Sequence, residues 1–324
     1  MPAKKKVSLR LGSRTPLVKD LLIVEGISRS GKFLLANILN GLSGIEPVQY
    51  HGLLEHIPFL LESGFLTKEV AKELLRCEID THCYEMAIGR TLNHRRGDKS
   101  SIYNVPEPEK YLHRGEEPDG DEALKRFYKS KAYSFFILHE LMPNIKVYLE
   151  TFPGIKVVSL ERSPVELVAS WYKRGLAKRL GDDPKLFIIP FKDASGPYPW
   201  YIAGQTKRYA KASEMDRVIM SITTLMERSR ASYKKLSPSQ KAKMLSVRYE
   251  EILANPNQLV KKLQKFLNRP VTAEMAQILV RERLPNAESA KAKESKIAEI
   301  KTLASPENYK KLMVLEAAYQ AKNT

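Results

Sequence analysis

Short apolar runs and amphipathic stretches alternate along the chain. Leu21-Leu22-Ile23-Val24 is apolar at every position, the pattern of a short strand covered on both faces. It runs into Gly26-Ile27-Ser28-Arg29-Ser30-Gly31-Lys32, after which Leu34, Leu35, Ile38 and Leu39 recur at helical spacing. Further strands are predicted at Tyr133–His139, Ile155–Leu160 and Lys243–Tyr249. The third of these four strands is followed by a strong helix start. Ser163 is placed as N-cap, Pro164 as first helical residue and Glu166 to close a capping box, with Val165, Leu167, Val168, Trp171 and Tyr172 as the apolar face. Asn255-Pro256 repeats the start signal before Leu259, Leu263, Phe266 and Leu267. Strands alternating with helices predict an α/β protein with a central, mainly parallel sheet.

Two regions depart from this alternation. Residues 1–20 carry six Lys or Arg against one Asp and show no periodicity, so they read as a basic flexible arm before a single domain over 21–324. From about 43 to 132 the pattern becomes helical, with amphipathic stretches at 66–90 and 121–131 around a polar segment at 93–120. This predicts a helical insertion over the sheet edge.

Composition narrows the function classes. The chain has 324 residues, 43% hydrophobic and 28% charged, enough for one large core. Its net charge of +17 favours anionic ligands or partners. Two cysteines exclude a disulfide scaffold, and Cys77, His82 and Cys83 bring no ligand set recognisable in sequence, so no metal is expected. No apolar run is long enough to span a bilayer, and the N-terminus lacks the apolar stretch of a secretory signal, so a cytoplasmic protein is expected.

Gly26 to Lys32 satisfies GxxxxGK between a predicted strand and a predicted helix. Backbone N–H groups converging at a helix N-terminus bind phosphate, since they are otherwise unpaired and the helix dipole favours negative charge. Arg29 and Lys32 add positive charge, and Ser30 a hydroxyl. Nucleotide hydrolases and kinases place Ser or Thr next, to hold magnesium. Here the residue is Phe33, which offers no oxygen, so a phosphate ligand fits better than metal-assisted nucleotide chemistry. A P-loop small-molecule kinase is the first alternative reading, and a basic nucleic-acid-binding protein the second. The chain shows no recognition module for the latter, and nucleic acid is not expected.

Ile155–Trp171 reads IKVVSLERSPVELVASW. A strand delivers Arg162 and a helix carries Ser170, a guanidinium fork and a hydroxyl that can together hold one phosphate. With the glycine loop, this pair resembles the PAPS-dependent sulfotransferases, whose donor is 3′-phosphoadenosine 5′-phosphosulfate. Arg162, Pro164 and Ser170, eight residues after the Arg, match that family's 3′-phosphate motif, and Arg29-Ser30-Gly31 its 5′-phosphosulfate motif. Val247–Leu253, followed by Asn255-Pro256 and Phe266-Leu267, resembles a third motif, in which Tyr249 lies near the adenosine end. In the glycine loop, Lys32-Phe33 departs from the family pattern, replacing two hydroxyl residues. No clean arginine-lysine-glycine donor loop is found, Lys291, Lys293 and Lys296 being a weak substitute.

The resemblance implies a P-loop three-layer fold, PAPS as co-substrate with adenosine 3′,5′-bisphosphate as product, and metal-free in-line transfer to a hydroxyl or amine. Gly26, Arg29, Ser30, Gly31, Lys32, Phe33, Arg162, Ser170 and Tyr249 are the expected donor contacts, with Arg29 also catalytic. His139, at the end of a predicted strand, matches the base of cytosolic sulfotransferases. Glu55, in QYHGLLEHIP beside His51 and His56, falls where carbohydrate and tyrosylprotein sulfotransferases carry a glutamate base, and both stay open as bases. The expected acceptor is a hydroxylated small molecule or saccharide, with basic residues around the insertion favouring an anionic one. Phe191–Tyr209, with Tyr198, Trp200 and Tyr201, is a candidate acceptor loop.

Overall fold

The computed structural model describes residues 11–12, 14–117, 119–286 and 290–321, the side chains of 290 and 291 excepted. The strands are β1 (Leu21–Gly26), β2 (Ser134–His139), β3 (Ile155–Glu161), β4 (Phe191–Asp193), β5 (Gly196–Tyr198) and β6 (Met244–Arg248). Four form a parallel sheet in the order β2-β1-β3-β6, and β4 and β5 make a separate antiparallel hairpin. The four strands are those predicted. The last ends one residue early, because the chain turns at Arg248 and Tyr249 opens a helix.

Helices cover both faces of the sheet. In chain order they are α1 (Lys32–Asn40), α2 (Gly52–Glu62), α3 (Lys68–Ala87), α4 (Pro108–Leu112), α5 (Gly120–Ser130), α6 (Lys146–Thr151), α7 (Pro164–Lys173), α8 (Thr206–Lys211), α9 (Glu214–Lys234) and α10 (Pro238–Lys241). After β6 come α11 (Tyr249–Ala254), α12 (Pro256–Leu267), α13 (Met275–Arg281), α14 (Ala290–Leu303) and α15 (Pro306–Gln320). Alternate residues of β1 serve opposite layers, as the two-residue strand period requires. Leu22 and Val24 pack with Leu35, Ile38 and Leu39 of α1 and Leu259 and Leu263 of α12. Leu21 and Ile23 pack with Leu54 and Ile57 of α2, Leu75 and Ile79 of α3 and Tyr148 of α6. A third core joins α7 and α9 to Trp200, Tyr201, Ile300 and Leu312.

Residues 52–130 carry α2 to α5 between α1 and β2. Helix α2, which holds Glu55, has no counterpart among the predicted amphipathic stretches. The polar segment 93–120 folds into short helical turns. It is tied down by Arg114, whose guanidinium donates to Glu46 at 2.6 and 3.0 Å and to the Met86 carbonyl at 3.1 Å, all buried. The described end of the basic arm is docked on α3: the amides of Leu17 and Val18 donate to the Asp80 carboxylate, Arg14 pairs with it, and Val18 is buried. Residues 1–10 of that arm lie outside the described residues.

Candidate active site

The glycine loop leaves β1 where that strand meets β2 and β3. Gly26 is required by close approach, since a Cβ there would fall 2.5 Å from the Leu160 carbonyl oxygen. Gly31 is required twice over. Its φ is +101°, and a Cβ would lie 2.5 Å from the Tyr249 ring. Arg29 itself adopts φ +73°, and Ser30 N donates to the Ile27 carbonyl at 3.1 Å. Trp171 Nε1 donates to the Ser28 carbonyl at 2.8 Å and ties the loop to α7.

Helix α1 begins at Lys32 with no side-chain cap and no acid in its first turn. Its leading amides are therefore available to an anion. Ser30 Oγ beside them is buried without a hydrogen-bond partner. Lys32 is braced inward, its ammonium donating to the carbonyls of Gly26 at 2.7 Å and Ile27 at 3.1 Å. Burial lowers its pKa to about 8, while Glu140, Glu55 and Glu25 oppose that shift. In this conformation the lysine orders the loop's own backbone. Phe33 lines the cavity and packs on the core of the α1 layer.

The two predicted phosphate grips adjoin. Arg29 Nε donates to Ser170 Oγ at 3.4 Å, and Arg162 Nη1 donates to the Arg29 carbonyl at 3.0 Å. The Arg162 guanidinium stacks over the Tyr249 ring at 4.2 Å from its centroid. Arg29 is exposed. Partial burial lowers its pKa, helped by the charges of Arg174 and Arg162. Arg174, read in sequence only as part of a basic pair, thus belongs to this cluster.

Glu55 and His139 occupy one position rather than two. Glu55 Oε1 accepts from the His139 backbone N–H at 2.5 Å and lies 2.6 Å from its ring Nδ1. Tyr50 OH donates to Glu55 Oε2 at 3.3 Å and packs edge-on against the His139 ring. Sequence separation hid this, because the two residues stand 84 apart and only the β1–β2 pairing and α2 join them. Glu140 was missed altogether. It takes a left-handed conformation (φ +48°) and accepts from Ser28 N at 2.7 Å, bracing the loop from the β2 side.

Arg29, Gly31, Lys32 and Phe33 of the loop and α1 line one cavity of about 600 Å³, whereas Gly26, Ser30 and Ser170 stand behind its lining residues. Arg162, Arg174 and Tyr249 are among its lining residues, as are Glu55 and His139, and its far side includes His56, Phe59, Leu186, Phe187, Ile188 and Trp200. Phe59 and Trp200 stack at 5.6 Å between centroids, so the predicted aromatic segment contributes to the wall.

The C-terminal lysines are engaged elsewhere. Lys293 pairs with Glu316, and Lys296 donates to both oxygens of Glu166 at 2.8 and 2.7 Å. Ser163 Oγ does accept from Glu166 N, at 3.4 Å. The predicted capping box stays open, because Glu166 turns to Lys296 and Arg162 while Ser163 N donates to Glu250. The side chain of Lys291 lies outside the described residues. His82 has the ligand neighbours that its sequence context lacked: His51 and Glu78 stand beside it.

A parallel α/β sheet with a glycine loop at its leading strand and a cluster of arginines over that loop is a fold of the P-loop type. Residues 20–312 match the family model of the sulfotransferase domain, and the chain belongs to that family of sulfuryl-transferring enzymes. Similar solved structures include the sulfotransferase domain from the curacin biosynthetic pathway, 13% identical, covering 94% of this chain and 99% of that one, with a TM-score of 0.44. Sulfotransferase STF9 from Mycobacterium avium is 14% identical over 88% of this chain and 76% of that one, TM-score 0.40. The sulfotransferase domain of the Synechococcus PCC 7002 olefin synthase is 12% identical over 94% and 95%, TM-score 0.40. No curated protein matches the sequence. No helix among the described residues is long and apolar enough to cross a membrane.

Proposed function

We propose that the chain transfers a sulfuryl group from PAPS to a hydroxyl of an acceptor bound against Phe59, Trp200 and the 186–188 segment. The observation that carries this reading is the joining of two anion grips and a carboxylate–imidazole pair in one cavity. PAPS carries anionic groups on both sides of its ribose, and the chain offers a grip for each. The α1 N-terminus, Ser30 and Arg29 suit the 5′-phosphosulfate. Arg162 and Ser170 suit the 3′-phosphate, with Tyr249 beside them. The donor supplies the sulfuryl group, and the protein supplies position and charge. Arg29, with Arg174 near it, stabilises negative charge on the departing phosphate through preorganised electrostatics.

His139 takes the acceptor proton. Glu55 accepts from Nδ1–H, which leaves Nε2 with its lone pair and fixes the tautomer a general base needs. Glu55 is then a positioning residue, and the two sequence alternatives merge into a dyad. None of these steps calls on a metal. The apolar lining residues favour an acceptor with an apolar portion, while Lys185, also in the lining, suits an anionic group.

Calorimetric titration with adenosine 3′,5′-bisphosphate, beside ATP with magnesium, tests the donor assignment. Tight metal-independent binding of the bisphosphate and little of ATP is expected. The reverse would replace this reading with that of a small-molecule kinase.

A further inference from the structure

Outside the transfer cavity, α2 and α3 bring together three side chains with metal-binding chemistry. Glu78 and His82 lie four residues apart on α3 and so share one face, and His51 is the N-cap residue of α2. His51 Nδ1 is 3.8 Å from Glu78 Oε2, and His82 Nε2 is 3.9 Å from the same oxygen. One donor atom from each of the three lies within 4.8 Å of the others. The imidazole rings sit 4.1 Å apart between centroids.

These separations are too long for hydrogen bonds. His51 Nδ1 is shielded from solvent yet has no hydrogen-bond partner, so it presents an unused donor to the centre of the group. We infer that His51, Glu78 and His82 bind one divalent transition-metal ion of the zinc class. Around a tetrahedral ion with bonds of about 2.0–2.1 Å, donor atoms stand roughly 3.3 Å apart, so closing movements of about half an ångström toward Glu78 and of up to about 1.5 Å between the two imidazoles bring the three donors to that spacing, with water in the fourth position. Two nitrogens and one carboxylate select zinc over calcium or magnesium, which prefer oxygen. Glu85 lies 4.0 Å from His82 Nδ1, beyond hydrogen-bond distance but on the side of the ring away from Nε2.

The consequence reaches the transfer cavity through α2. His51 is preceded by Tyr50 and followed one turn later by Glu55, the residues that flank His139. An ion at His51 ties this end of α2 to α3. The inference does not depend on the identity of the sulfuryl donor, because its readout is metal uptake.

The test uses the full chain stripped with a chelator and titrated with zinc by calorimetry, and with cobalt by visible absorption. The wild type is expected to take up one equivalent and to melt at a higher temperature with zinc. His82→Ala and Glu78→Gln should each lower affinity at least about tenfold and abolish the thermal shift. Glu78→Gln preserves shape, so it decides the matter if His82→Ala does not fold. A wild type that takes up no zinc at micromolar concentrations would overturn the site. Variants that bind like the wild type would also overturn it, by locating the ion elsewhere.

Discussion

Glu55 Oε1 is shared by the backbone and the ring of His139, at 2.5 and 2.6 Å. A carboxylate held this way fixes the imidazole in both rotation and tautomer. His139→Ala should therefore cut turnover about 10²–10⁴-fold, the usual span for loss of a general base, with bisphosphate affinity near normal. Glu55→Gln should lower turnover by a smaller factor, since the amide keeps an oxygen for Nδ1–H but loses the charge that favours the imidazolium. Steady-state rates beside calorimetry separate these effects. Full activity in His139→Ala would remove the base assignment.

Arg162 acts at two places, as a proposed phosphate ligand and as a donor to the Arg29 carbonyl. Ser170 acts at one. Arg162→Ala should lose about 1.5–3 kcal/mol of bisphosphate affinity, the range for a hydrogen bond to a charged group, and also lower turnover through Arg29. Ser170→Ala should lose less affinity, about 1 kcal/mol, with turnover at saturating donor close to wild type. Titration with adenosine 5′-monophosphate, which lacks the 3′-phosphate, checks the assignment, because Ser170→Ala should then come close to the wild type and Arg162→Ala should lose less than it does with the bisphosphate. A loss of equal size with both nucleotides would place Arg162 elsewhere on the donor.

The sheet and the glycine loop were legible because each rests on local pattern. A continuous apolar run, a GxxxxGK and the spacing from Arg162 to Ser170 are all read within one segment. The dyad was not, because it needs α2 folded against β2. Helix α2 itself escaped prediction because Pro58 interrupts its pattern and its first turn, Gly52 to Glu55, mixes polar with apolar residues. Glu140 was invisible for a different reason. Its role depends on a left-handed backbone just past a strand end, where the residue type gives no hint. Lys293 and Lys296 show the converse. Their charge suggested a ligand contact, yet it is answered by Glu316 and Glu166.

Gly31 lies against the Tyr249 ring so closely that no Cβ fits between them, and its φ of +101° disfavours any other residue. Gly31→Ala should destabilise the loop by about 1–3 kcal/mol through backbone strain, with the ring clash in addition. Bisphosphate affinity should fall at least about tenfold. In the double variant Gly31→Ala/Tyr249→Ala the clash is gone and the strain remains, so thermal stability should recover in part. A single variant that melts and binds like the wild type would show that this contact does not shape the site.

Glu25 provides a test by pH. It sits on β1 almost fully buried, accepting from Ser159 Oγ and, at 3.1 Å, from Met142 N. Burial raises its pKa to about 7, although Ser159, Lys32 and Met142 favour the ionised form. The folded state thus binds a proton that the unfolded state releases between about pH 4.5 and 7. Across that window the group's contribution to stability falls as pH rises, and above about 7 the loss is complete. Glu25→Gln removes the titration while keeping an oxygen for Met142 N and a donor that Ser159 can accept. Its melting temperature should lie near that of the wild type below pH 4.5 and rise above it by a growing margin up to about pH 7, worth roughly 3 kcal/mol at most. A gap between variant and wild type that stays constant across this range would show that Glu25 does not titrate there.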